Sequence, residues 1–259
     1  MQEMQHQVAL VMGGGAGTGR ATALAFAREG ASVMVADINA EGAAVTCELI
    51  LEAGGKAAHV EANMALSEDV ERSVARTRDI FGGLHLVSNN AALGVPNKPI
   101  TEVSEKEFDR CMGVTLRGVW LCMKYQLPLI EASGGGAIVN VASVSGLRGE
   151  AFQSAYAAAK GGVITLSKAA AVEYARRGVR INTVCPGGIN SGGMAFYMQK
   201  MPQELREKTL NAHAMGRLAE PEEIADAVVY LCSQRASFIT GHDLVVDGGV
   251  LVRSNVLEF

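Results

Sequence analysis

Gln7-Val8-Ala9-Leu10-Val11-Met12-Gly13-Gly14-Gly15-Ala16-Gly17-Thr18-Gly19 is the stretch whose reading decides the rest of the chain. Residues 7–12 form a short apolar run with the length and composition of a strand. The run ends in glycines, and residues 16–30 then carry a helical pattern closed by Gly30. The glycines at 13, 17 and 19 are spaced Gly-x-x-x-Gly-x-Gly, not Gly-x-Gly-x-x-Gly. At a strand–turn–helix junction, glycine permits turns of positive φ. It also leaves room for a pyrophosphate against the helix N-terminus, where a Cβ would block it. A tight turn without a ligand would use the same residues.

Outward from this junction the alternation repeats. Strands are expected at 31–36, 56–62, 84–88, 137–142, 179–185 and 242–246. Helices are expected at 40–53, 67–81, 104–131, 153–177 and 222–233. Ser67 is read as the N-cap of the third helix, with Glu68 and Asp69 in its positive first turn. Pro221 opens the last helix, where a proline is at home. Residues 192–218 show helical stretches without a clean period. Alternating βα units with right-handed crossovers imply an α/β protein: a single doubly wound, Rossmann-type domain over residues 1–259. Its sheet is expected to be mostly parallel and seven-stranded, with helices on both faces.

Composition narrows the partners. Of 259 residues, 49% are hydrophobic and 19% charged, so a large core is expected and disorder is not. A net charge of −4 with no basic run speaks against nucleic acid or an anionic membrane surface. No apolar run approaches the ~20 residues of a membrane span, and no signal peptide is visible. The cysteines at 47, 111, 122, 185 and 232 show no metal-ligand spacing. They read as buried hydrophobes in a reducing compartment. A cytoplasmic protein without a metal follows as the expectation.

In doubly wound sheets, ligands bind beyond the carboxyl ends of the strands, so the residues just after each strand matter most. After the second strand comes Asp37, 18 residues past Gly19. A carboxylate there can accept hydrogen bonds from the hydroxyls of an adenosine ribose and would repel a 2′-phosphate. No Arg or Lys precedes Gly17 in the loop, and none directly follows Asp37. Both facts favour NAD over NADP, although Asp37 could also serve as a simple N-cap. Asn63-Met64 follows the third strand, and Asn89-Asn90-Ala91-Ala92 the fourth. After the fifth comes Ser143; Tyr156 stands 13 residues on and Lys160 four beyond that. Tyr156 and Lys160 share one helix face, beside the tip of the strand that carries Ser143.

With these residues in place, the chain resembles a short-chain dehydrogenase/reductase. The resemblance rests on Gly13, Gly17 and Gly19, on Asn89-Asn90-Ala91-Ala92, on Ser143 with Tyr156-x-x-x-Lys160, and on Pro186-Gly187. Gly216-Arg217, Pro221 to Ala225, Thr240-Gly241 and Asp247-Gly248-Gly249 extend it over essentially the whole chain. It implies that Gly13, Gly17, Thr18 and Gly19 carry the pyrophosphate and that Asp37 holds the adenosine ribose. It places Asn63 and Met64 at the adenine and Asn90 near the nicotinamide ribose. Pro186, Gly187, Ile189 and Ser191 would fix the carboxamide and phosphate side, and Tyr156 and Lys160 would touch both cofactor and chemistry.

The chain also departs from the family's pattern. Met12 stands where a Thr is usual, Thr18 where an Ile is usual, and Asn63 replaces an Asp. Ala92 replaces a Gly, and Thr115 stands where the family has a catalytic Asn that works through a helix distortion and a proton-relaying water. A Thr hydroxyl can bond a water or its own helix, and slower turnover is expected.

The implied reaction moves a hydride between NAD and a secondary alcohol or ketone, with Ser143, Tyr156 and Lys160 catalytic. Tyrosine at its free pKa of ~10 is a poor base. Lowering it by ~2–3 units takes roughly 3–4 kcal/mol. A cation at ~4 Å supplies about 4 kcal/mol at an effective dielectric near 20, so Lys160 is expected to activate Tyr156. Met194, Phe196, Tyr197 and Met198 suggest a substrate lid over about 192–218, while the five histidines read as surface or loop residues, with His213 a candidate near substrate. The combination of Asn89-Asn90-Ala91-Ala92 with Leu121-Cys122-Met123-Lys124-Tyr125-Gln126 is similar to family members that oxidise cyclic alcohols and dihydrodiols. Alternatives are an NADPH-dependent carbonyl reductase of the 3-oxoacyl type and a non-catalytic nucleotide-binding relative. The family also implies a homotetramer, with the apolar tail at 250–252 and 256–257 able to pack on a neighbour.

Overall fold

A computed structural model describes residues 3–253, with positions 193 and 197 described by backbone only. The strands are β1 (Val8–Met12), β2 (Ser32–Asp37), β3 (Lys56–Glu61), β4 (Leu86–Asn89), β5 (Gly136–Val141), β6 (Val179–Pro186) and β7 (Asp243–Val246). They form one seven-stranded sheet in the order β3-β2-β1-β4-β5-β6-β7, and every pairing is parallel. The chain winds outward from β1 to β3 and then crosses back to β4. The β1/β4 boundary is therefore the switch point above which such sheets open a crevice.

The helices are α1 (Gly17–Arg28), α2 (Ala40–Glu52), α3 (Ser67–Phe81), α4 (Glu105–Met112), α5 (Gly118–Ala132), α6 (Ser154–Tyr174), α7 (Gly192–Lys200), α8 (Gln203–Asn211) and α9 (Pro221–Cys232). Side chains along each strand alternate between two cores, as the pleat requires. Ala9, Val11, Val33 and Val35 pack with Phe26 of α1, Ile50 of α2, and Ile224 and Val228 of α9. Leu10, Met12 and Met34 pack on the other face with Val70 of α3, Leu121 of α5 and Val163 of α6. Because both faces are covered, the central strands read as unbroken apolar runs.

Three expectations change. Ser67 is the first helical residue of α3 rather than its cap; Leu66 holds the cap position without a side-chain bond. The Ser67 hydroxyl instead bonds the Tyr125 hydroxyl of α5 at 2.7 Å. The single helix expected at 104–131 is interrupted by a π-turn at Gly113–Arg117, which joins α4 to α5. The unclear stretch 192–218 folds into α7 and α8. The tail at 256–257 and the Tyr197 side chain lie outside the described parts.

Among the described residues, no helix is long and apolar enough to cross a membrane. No group of three or more His, Cys, Asp or Glu side chains there could hold a metal ion. All five cysteines are free and buried.

Candidate active site

The site is assembled along the carboxyl edge of the sheet. Gly13 takes φ +78°, and a Cβ there would fall 2.7 Å from the Ala91 nitrogen. A Cβ on Gly19 would sit 1.9 Å from the Gly13 carbonyl oxygen. The glycine turn is thus pressed onto both the β4 loop and the start of α1, with no room for side chains. The cap position of α1, Ala16, offers no side-chain bond, and its first turn holds no acidic residue. The N–H groups of that turn, at Gly17, Thr18 and Gly19, are left for an outside acceptor, and a pyrophosphate fits that requirement. Ser191, beyond β6, brings its Oγ to 3.3 Å from where a Cβ on Gly17 would stand. Ile189 pairs with Ala219, and Gly187 N–H donates to Val246 O at 3.1 Å, so the post-β6 segment is fixed beside the cradle.

Asp37 ends β2 with both carboxylate oxygens in use. Oδ2 accepts from Gly15 N–H and Oδ1 from Asn39 N–H, each at 2.8 Å. The cap of α2 is Asn39, not Asp37, and accepts from Gly42 N–H. Arg20 directs its guanidinium to Thr46 Oγ1 at 2.9 Å and Gly15 O at 2.5 Å.

The residues just after β3 and at the tip of β4 make the following contacts. Asn63 Oδ1 accepts from Ala65 N–H at 2.9 Å, and the Met64 side chain is buried in the core, so Met64 can offer only its backbone to a ligand. Asn90 donates to Ser88 Oγ at 3.0 Å and Ser88 O at 3.2 Å, at the tip of β4. Asn89 turns away into the core, where its Nδ2 donates to Asn140 Oδ1 at 2.8 Å and its Oδ1 accepts from Gln126 at 3.0 Å. Asn140 passes the chain on to Ser167 at 2.8 Å. This buried amide network satisfies every member while holding β4, β5, α5 and α6 in register.

Ser143, Tyr156 and Lys160 come together. A short helical turn, Val144–Gly146, follows β5 and lies directly on α6; a Cβ on Gly146 would fall 2.7 Å from the Lys160 carbonyl carbon. That contact sets the Ser143 hydroxyl beside the Tyr156 phenol. Lys160 is 2% exposed, donates to Val141 O at 2.6 Å, and holds its ammonium 5.7 Å from the centre of the Tyr156 ring.

Burial dominates both titrations. It pushes the Tyr156 phenol up to about 12, with the Ser143 hydrogen bond pulling the other way and Cys111 and Glu150 adding to the rise. It draws Lys160 down to about 8. Desolvation of the phenolate is the largest influence on Tyr156.

Thr115 lies in the π-turn, fully buried. Its hydroxyl accepts from Leu93 N–H at 2.9 Å and donates to Leu93 O at 3.0 Å. Cys111 Sγ points to the same carbonyl at 3.0 Å. Thr115 thus bonds neither its own helix nor a free cleft position; it clasps the loop after β4. Two residues overlooked in the sequence join the site: Ser145, whose hydroxyl donates to Glu150, and Glu150 itself. A Ser two places after the strand-end Ser143 was the available signal; nothing marked Glu150. His213 is not a surface residue. It is 5% exposed, with Nε2 accepting from Gly188 N–H at 2.9 Å and Nδ1 lying 3.1 Å from Thr209 O, which pins α8 to the post-β6 turn. His85 likewise accepts from Val8 N–H, and burial lowers its pKa.

The family described as Enoyl-(Acyl carrier protein) reductase matches residues 13–251. Cyclohexanol dehydrogenase of Acinetobacter sp. (strain SE19) is 44% identical over 246 residues, covering 95% of this chain and 95% of that protein. The 2,5-dichloro-2,5-cyclohexadiene-1,4-diol dehydrogenase of Sphingobium indicum (strain DSM 16412 / CCM 7286 / MTCC 6364 / B90A) is 41% identical, covering 96% of this chain and 98% of that one. The crystal structure of levodione reductase aligns with a TM-score of 0.92 at 34% identity, over 96% of this chain and 100% of that one. Matches of this length, laid over the parallel sheet and the meeting of Ser143, Tyr156 and Lys160, show that the chain belongs to the short-chain dehydrogenase/reductase family.

Proposed function

We propose that this protein is an NAD-dependent dehydrogenase of cyclic secondary alcohols, residues 1–259 forming one dinucleotide-binding and catalytic domain. The observation that carries the reading is the convergence of a phenol, an ammonium and a hydroxyl at the sheet edge that also bears the glycine cradle. The cyclohexanol and cyclohexadiene-diol dehydrogenases among its relatives support a ring alcohol as substrate.

The choice of NAD follows from Asp37. Its carboxylate is held by two backbone N–H groups at the end of β2, and ribose hydroxyls would add donors to the same oxygens. A 2′-phosphate would meet this anion instead. A bound nicotinamide supplies the hydride acceptor and, when oxidised, a positive charge. Tyr156 takes the hydroxyl proton at its phenolic oxygen, and Ser143 donates to the substrate oxygen. Lys160 has three N–H donors and gives one to Val141, which leaves two for the nicotinamide ribose. Its ammonium and the nicotinamide charge together oppose the burial that holds Tyr156 protonated. α7 and α8, with the exposed Met194 and Phe196, serve as the substrate lid. Exposed Trp120, Val172 and Phe238 support the homotetramer the family implies.

The test is a titration of NADH against NADPH, followed by oxidation of a panel of cyclic and acyclic alcohols. NADH binds more tightly in the wild type. Hydrogen bonds to a charged group contribute about 1.5–3 kcal/mol, so Asp37→Ala weakens NADH binding by about 10–100-fold and leaves NADPH affinity equal or improved. Tighter NADPH binding by the wild type, or turnover confined to acyclic substrates, would overturn the reading.

A further inference from the structure

The Asp37 carboxylate belongs to a ring of hydrogen bonds that Arg20 closes. Asp37 Oδ2 accepts from Gly15 N–H and Oδ1 from Asn39 N–H, each at 2.8 Å. The Asn39 side chain in turn accepts from Gly42 N–H at 3.1 Å. Arg20, the fourth residue of α1, joins the two open ends. Its Nη2 donates to Gly15 O at 2.5 Å and to Gly42 O at 3.4 Å. Its Nε donates to Thr46 Oγ1 at 2.9 Å. Thr46 is fully buried, and its hydroxyl lies 3.0 Å from both Gly14 O and Gly42 O. The ring has no slack. A Cβ on Gly15 would fall 2.8 Å from Asp37 Cγ, and one on Gly42 would fall 2.9 Å from Gly15 O.

We propose that Arg20 is the positioning residue that sets the nucleotide preference of the cleft. The proposal rests on the NAD reading above. A glycine has no side chain to restrain its backbone, so Gly15 needs outside contacts to keep one orientation. Its N–H is taken by Asp37 and its carbonyl by Arg20. Holding the carbonyl keeps the N–H on Asp37, and the carboxylate stays turned to accept ribose hydroxyls and oppose a 2′-phosphate. The planar guanidinium fork suits this task, because it reaches a hydroxyl and two carbonyls from one rigid group. Arg20 thereby directs its charge to main-chain oxygens, and it acts on the nucleotide through Gly15 and Asp37. Without it the carboxylate can turn aside. The ribose then loses an acceptor, while a 2′-phosphate loses an opponent. General loosening of the cradle would weaken both nucleotides alike, whereas an effect carried by Asp37 changes their ratio.

The experiment is a fluorescence titration of NADH and NADPH against the wild type, Arg20→Met, Asp37→Ala and the double variant. The quantity read is the preference, the Kd for NADPH divided by the Kd for NADH. In Arg20→Met the preference falls by at least about 5-fold, since a hydrogen bond to a charged group is weakened. In the Asp37→Ala background the same Arg20→Met step moves the preference by less than about 2-fold, because the two residues act on one contact. Should Arg20→Met fail to fold, Thr46→Val removes the Nε acceptor and is judged by the same preference in the same two backgrounds. Equal weakening of both nucleotides overturns the proposal and leaves Arg20 a brace of the cradle. A loss confined to NADPH also overturns it, making Arg20 a direct partner of the phosphate. So does a shift that persists undiminished without the Asp37 carboxylate. A wild type that prefers NADPH refutes the NAD reading and the proposal with it. A wild type that prefers NADH, with the preference unmoved in Arg20→Met, refutes the proposal alone.

Discussion

At the tips of β1 and β2 the cleft is made of main chain. Gly13 is pressed on the Ala91 backbone, the first turn of α1 presents uncapped N–H groups, and even Asp37 is held by the N–H groups of Gly15 and Asn39. At the tips of β4 and β5 it is made of side chains. Ser143 neighbours Tyr156, Lys160 is threaded to Val141, Thr115 clasps Leu93, and Asn89, Gln126, Asn140 and Ser167 brace the strands from below. Main-chain donors hold their charge and direction at any pH, which suits a ligand of fixed charge. Side chains can gain or lose protons and have pKa values that respond to burial, which suits proton transfer. The price of the second arrangement is desolvation, visible in Tyr156 and Lys160, which are driven in opposite directions, each toward its neutral form.

This contrast is most open to attack at Tyr156. General acid–base groups typically contribute 10²–10⁴-fold, and Tyr156→Phe removes only the phenolic oxygen. Alcohol turnover is expected to fall by about 10³-fold, while NADH affinity changes little because the cradle is untouched. If the variant instead loses nucleotide binding and keeps its rate for whatever fraction binds, the division between the two regions fails.

Lys160 supplies the next largest effect, in stability. Burial holds it near 8, below the 10.5 usual for lysine. Between those values the unfolded chain binds the extra proton, so stability rises as pH climbs from about 8 to about 10.5. The gap corresponds to roughly 3 kcal/mol. Tyr156 acts oppositely: its contribution is present below about 10 and is lost as pH rises toward about 12. Subtracting the stability of Lys160→Met from that of the wild type cancels the Tyr156 contribution. Urea denaturation across this pH range should give a difference that rises with pH. A flat difference would mean that Lys160 is not desolvated in the folded protein.

The same contrast explains what could be read before the fold was known. The main-chain half was legible because backbone geometry leaves a local signature: apolar strand, spaced glycines, and an acid at the end of the next strand. Tyr156 and Lys160 were legible because four residues on a helix is a fixed direction in space. The π-turn was not. The segment Gly113-Val114-Thr115-Leu116-Arg117 continues an ordinary helical pattern, and what reshapes it is Leu93, 22 residues away. Asn89 and Met64 sit in the expected motifs but point into the core, a choice set by strand pleat and by partners on α5. His213 lies in the loop after α8, as expected, but its burial was not legible because its partners, Gly188 and Thr209, lie on two separate segments.

Thr115 sharpens the comparison with the smallest expected effect. Thr115→Val keeps the volume and the β-branch and deletes one hydroxyl, so it isolates the clasp. Leu93 O retains Cys111, but Leu93 N–H loses its acceptor. A part-buried donor left unsatisfied costs about 1–2 kcal/mol. The loop after β4 would loosen over Tyr156, whose ring lies 3.9 Å from where a Cβ on Gly94 would stand. Turnover should fall several-fold, with NADH affinity unchanged and the melting temperature lowered by a few degrees. The conservative Thr115→Ser keeps the hydroxyl and should recover most of both. If Thr115→Val lowered stability and left turnover intact, Thr115 would serve the scaffold alone. The side-chain half of the cleft would then be narrower than Ser143, Tyr156 and their neighbours imply.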